Sequence, residues 1–137
     1  VSWKTRIGLM FTTPTQADIR KWMKEEVVPA FEAVIPELER QGLSSRIDTA
    51  EDEVSITVDH GDQPDFVYGI MLKNYDDEEA PGEAGRNSGL YSRGEVFLAE
   101  GGQHYCIYGY TTEQVIRDLI RHYERHRQWL HHMAHVN

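Results

Sequence analysis

A single cysteine, Cys106, occurs in the 137 residues, so no disulfide can close within the chain. It sits in an apolar, aromatic strand pattern with no helix start to lower its pKa, which suits a small buried hydrophobe and a reducing, cytosolic setting. Long hydrophobic runs are missing as well. No stretch approaches the roughly 18 apolar residues that span a bilayer, and the mean hydropathy is −0.59. Positive charge is scarce: 14 Lys and Arg face 23 Asp and Glu, for a formal charge of −9. Such a field repels nucleic acid and anionic lipid unless a local basic patch intervenes. Catalytic and phosphate-binding signatures are absent too. There is no G-x-S-x-G elbow, P-loop or dinucleotide fingerprint, and the Gly-Arg-Asn-Ser-Gly run at 85–89 places its serine one position late. Nothing in the spacing of the carboxylates selects an acid-base pair, so the reading is non-enzymatic, with no cofactor.

The chain begins without a methionine, and its apolar patch Ile7 to Phe11 is too short for a signal-peptide core, which suggests a piece of a longer protein. Residues 1–12 read as an arm and 13–137 as one domain, a size that hides roughly two thirds of its unfolded surface. Thr13, Pro14 and Gln16 predict a capped helix start. A helical stripe follows at Ile19, Trp22, Met23, Val27, Ala30, Phe31, Val34, Ile35 and Leu38, and Gly42 stops it. Pro29 and Pro36 interrupt this pattern and predict a kink or two helices.

From Leu43 to Tyr110 the period changes to two, most clearly at Val54, Ile56 and Val58. Five strands are expected near 43–48, 53–59, 65–73, 91–99 and 103–109, with turns at Glu51-Asp52, Gly61 and the two-residue Gly101-Gly102. The acidic stretch Asp76 to Gly89 reads as a solvated loop, without the ligand pattern of a calcium site. Thr111 and Gln114 form a second capping box, ahead of a helix carrying Val115, Ile116, Leu119, Ile120, Tyr123 and Leu130. The expected fold is α+β: an antiparallel sheet of about five strands with the N- and C-terminal helices on one face, in the order α-β-β-β-β-β-α.

Two features point to a partner. The last strands are apolar or aromatic on both faces, and helices cover only one, so a Tyr- and Phe-rich patch including Phe97 and Tyr105 is a candidate contact; coverage by loops or the arm is the alternative. Arg117, Arg121 and Arg125 form a stripe at i+4 steps, either a docking surface or a solvated face paired with neighbours such as Asp118. His122 with His126, and His131 with His135, have spacing that could share a metal, but neither pair has a carboxylate or cysteine partner; His126 reads better as a hydrogen-bonded boundary residue. An aromatic cage from Trp22, Trp129 and tyrosines competes with their reading as core.

The runs Asp65-Phe-Val-Tyr-Gly69, Glu95-Val-Phe-Leu-Ala-Glu-Gly-Gly-Gln103, Gly109-Tyr-Thr-Thr-Glu-Gln114 and His122-Tyr-Glu-Arg-His126 together resemble the C-terminal cytoplasmic domain of BetT-type choline transporters, of the betaine/choline/carnitine transporter family. Trp3 to Arg6 and Val28 to Val34 are similar too. The resemblance implies a regulatory, osmosensing tail of a multi-pass carrier at the cytoplasmic face of the bacterial inner membrane. Choline would bind elsewhere in that parent, and the tail's partners would be the membrane-embedded part and neighbouring protomers of a homo-oligomer.

Overall fold

The computed structural model describes residues 14–76, 90–99, 101–102 and 104–136, together with 3, 4 and 7. Most of the arm and nearly all of the acidic stretch lie outside the described residues.

The first helix, α1 (Gln16–Trp22), starts two residues later than the sequence suggests. Its cap is Thr15, not Thr13: Thr15 Oγ1 accepts from the Asp18 amide at 3.0 Å while Asp18 Oδ2 accepts from the Thr15 amide at 2.9 Å. An acid at this third position satisfies the orphan amide and also opposes the positive helix start, which Gln16 in the alternative box cannot do. Those bonds to Thr15 hold the Asp18 carboxyl below its ordinary pKa.

The helix does not break at its prolines. A π-helical turn, Met23–Val27, leads straight into α2 (Val28–Arg40). Pro29 has no amide to give the carbonyl four residues back, and the wider turn absorbs this mismatch: the Val28 amide reaches Met23 O, five residues away. The same turn presents Glu26 to the far end of the chain. Thr112 Oγ1 donates to the Glu26 carbonyl at 3.1 Å, and the Thr112 amide donates to Glu26 Oε1 at 3.0 Å. Gly42, at φ 81°, ends α2, with the Leu43 amide returning to Leu38 O.

Five antiparallel strands follow in sequential order: β1 (Ser44–Thr49), β2 (Glu53–His60), β3 (Gln63–Asp76), β4 (Leu90–Leu98) and β5 (Tyr105–Cys106). The last is far shorter than 103–109, because its ladder holds only Glu95 opposite Cys106 and Val96 opposite Tyr105. Gly101 and Gly102, both at positive φ, therefore belong to a longer link and not to a two-residue hairpin. Cys106 is exposed on this edge, contrary to the buried reading: a two-residue edge strand has no outer neighbour to cover it.

The helices share one sheet face. Ile19, Val27, Ala30 and Phe31 of the first helical segment are completely buried, as are Ile56, Tyr68 and Ile70 of the sheet. The capping box at Thr111 opens α3 (Thr112–Val136), with the Thr111 amide bonded to Gln114 Oε1 at 2.9 Å. Val115 and Leu119 then enter the core.

On the opposite sheet face Phe97 lies across Gly69, its partner in the β3–β4 ladder. A Cβ at Gly69 would meet Phe97 Cζ at 2.2 Å. Gly69→Val is expected to lower stability by about 1–3 kcal/mol, as overpacking does. Urea denaturation should show the double variant with Phe97→Ala recovering part of that loss; no recovery would mean the ring is not the obstacle.

Candidate functional site

Along α3, positions 115, 118, 119, 122, 123 and 126 fall on one helical stripe, and this stripe carries Asp118, His122 and His126 into the layer facing the sheet. Asp118 is the hub, only 6% exposed. Its Oδ2 accepts from the Tyr68 hydroxyl at 2.6 Å and the Tyr105 hydroxyl at 2.7 Å, and its Oδ1 from Arg121 at 2.6 Å. The Tyr105 hydroxyl also lies 2.6 Å from His122 Nε2. With the phenol proton given to Asp118, the imidazole must be the donor, which assigns a proton to Nε2. Burial, then the neighbouring carboxylate, push the Tyr68 phenol far above its usual pKa, and burial with the bond to Asp118 raises Tyr105 as well.

A β-bulge supplies the other side of this corner. Val58 pairs with Phe66 but Asp59 pairs with Pro64, so Asp65 is the extra residue. Bulges re-aim side chains in this way. Asp65 Oδ1 lies 3.0 Å from His126 Nε2, although the contact is off the hydrogen-bond direction. Between the end of α3, the bulge and the 98–104 link lies an open cavity of about 1150 Å³, whose walls include Asp65, Tyr105, His122, Arg125, His126 and Trp129.

The residues singled out in the sequence are dispersed. Phe97 is half-buried on the sheet face on which no described helix packs, whereas Tyr105 turns to the helix side and into the Asp118 network. Arg121 is committed to Asp118, Arg117 is exposed beside it, and Arg125 lines the cavity. Trp22 is core: its indole N–H donates to Tyr110 O at 2.9 Å and its ring meets Tyr108 edge-on, so it forms no cage with Trp129. Among the described residues no group of three metal-ligating side chains converges.

The helix-free face holds a second buried acid, Glu95, which pairing alone did not suggest. Its Oε2 accepts from Tyr75 at 2.6 Å and lies 3.3 Å from Arg93 Nε, while Oε1 has no hydrogen bond and sits 3.7 Å from His104 Nδ1. The bond to Glu95 raises the Tyr75 phenol above its ordinary value.

No family model matches the chain. It is 33% identical over 132 residues to the glycine betaine transporter of Acinetobacter baylyi, covering 94% of this chain and 20% of that protein. It is 30% identical over 138 residues both to the osmo-dependent choline transporter BetT2 of the same species and to the high-affinity choline transport protein of Escherichia coli, covering 96% of this chain and 20% of each. The chain matches the C-terminal domain of BetT-type transporters.

The chain spans about a fifth of the length of these relatives. All three bear transport names and none an enzyme's. Among the described residues no helix is long and apolar enough to cross a membrane.

Proposed function

We propose that this chain is the osmosensing, regulatory C-terminal domain of a choline or glycine betaine secondary transporter, held at the cytoplasmic face of the bacterial inner membrane. The observation that carries this reading is the match of nearly the whole chain to one fifth of osmolyte transporters, one of them named osmo-dependent. The domain acts without chemistry of its own. It docks on the membrane-embedded part of its parent or on a neighbouring protomer through two opposite faces, Arg117 and Arg125 on α3 and Phe97 on the helix-free side of the sheet. Arg121 and Tyr105 hold the Asp118 network between them.

Electrostatics supply the trigger. A domain of charge −9 senses partner charges only within about 10 Å at 0.1 M salt, and less as salt rises. Rising ionic strength therefore loosens the dock and changes transport. The test is the affinity of this chain for the parent transporter lacking it, measured from low to high salt. Affinity that falls steadily with salt, and further with Arg117→Glu, is expected. Undetectable association, or an affinity indifferent to salt, would contradict the proposal.

A further inference from the structure

The cavity beside α3 has a lining whose chemistry is specific. Trp129 is one of the lining residues and leaves 57% of its surface exposed, so its ring is open to a ligand. An open indole face attracts cations, alkylated ammonium groups above all. Arg125 contributes a guanidinium that makes no ion pair among the described residues, and its planar fork suits a carboxylate. On the other wall Asp65 offers a half-sheltered carboxylate, one oxygen beside His126. One fixed positive and one fixed negative group, with an aromatic face, favour a ligand that carries both charges. A simple anion would meet Asp65, and a simple cation would meet Arg125.

We propose that this cavity binds a small zwitterion with an alkylated ammonium and a carboxylate, the ammonium over Trp129 near Asp65 and the carboxylate on Arg125. The open mouth and single-residue contacts point to a dissociation constant on the order of 1 mM. Choosing an osmolyte rests on the functional reading above; the charge arrangement does not. A domain that responds to ionic strength would through this site also respond to accumulated zwitterion, which leaves ionic strength unchanged.

The experiment is a titration of the 137-residue chain with glycine betaine, followed by the indole N–H resonance of Trp129, which the Trp129→Phe variant identifies. Both Trp129 and Arg125 are exposed, so their variants should keep the native melting temperature. Expected are a saturable shift, binding about ten-fold weaker in Arg125→Ala, and choline or acetate each about ten-fold weaker than betaine. No saturation up to about 100 mM, equal affinity in Arg125→Ala, or equal binding of choline would overturn the assignment. The titration needs no transporter. Betaine binding without salt-dependent docking would retire the regulatory reading alone, and docking without betaine binding would retire only this site.

Discussion

Replacing Asp118 with alanine should lower the free energy of unfolding by about 3–5 kcal/mol, a large part of the stability of an ordinary domain. The carboxylate is buried and holds two phenols and a guanidinium. Its removal strands the hydroxyl of Tyr68, a residue with no exposure at all, and a buried polar group without a partner costs the full desolvation of that group. The Tyr105 hydroxyl is less affected, because His122 still meets it. Asp118→Asn keeps an acceptor and should cost about half as much. Urea denaturation of the two variants would show this order; a loss below about 1 kcal/mol in Asp118→Ala would mean the network is decorative.

The same network sets an alkaline limit. Tyr68 has a folded pKa raised above its unfolded value, so below about pH 10 both states hold the proton and its contribution is intact. Above that pH the unfolded chain releases the proton first, and stability falls as pH rises, by up to about 1.4 kcal/mol per unit for this one group. Tyr68→Phe should be less stable near neutrality yet flatter in this alkaline range. Parallel curves for the two proteins would contradict the role of the phenol.

Phe31→Ala carries the second large effect, about 3–5 kcal/mol. Phe31 is completely buried in α2, and its ring meets Tyr68 edge-on with centroids 5.9 Å apart. Truncation opens a cavity where the helix, the sheet and the Asp118 network join, so local collapse is blocked on three sides. Ile35 lies on the same helix but only half-buried, and Ile35→Ala should cost clearly less. Equal losses at the two positions would show that the core is not centred where the structure places it.

The helical stripe from Ile19 to Leu38 and the apolar positions Val54, Ile56 and Val58 of β2 were legible from their fixed periods and lie in the core. Ser55 and Thr57 on the other face of β2 are buried too, which alternation with polar residues does not predict. What sequence could not rank were competing local solutions. Thr13 and Thr15 both precede a plausible cap partner, and only the charge of Asp18 separates them. The β4–β5 link could not be read from Gly101-Gly102, since glycine permits many turns and the register comes from the opposing strand. Asp65 looked like an ordinary strand residue until the bulge turned it to the helix. The Asp118 network did leave a signal: an acid and two histidines on an otherwise apolar stripe must find partners inside. It was masked by the adjacent arginines, which made Asp118 look like a surface counter-ion.

The most direct test of the regulatory claim is osmolyte uptake against external osmolality, in cells carrying the proposed full-length transporter or one truncated just before Val1, at matched membrane expression. A flattened or shifted osmotic response in the truncated protein is the predicted result. Coincident curves would contradict it, leaving the chain an assembly or stability module of its parent.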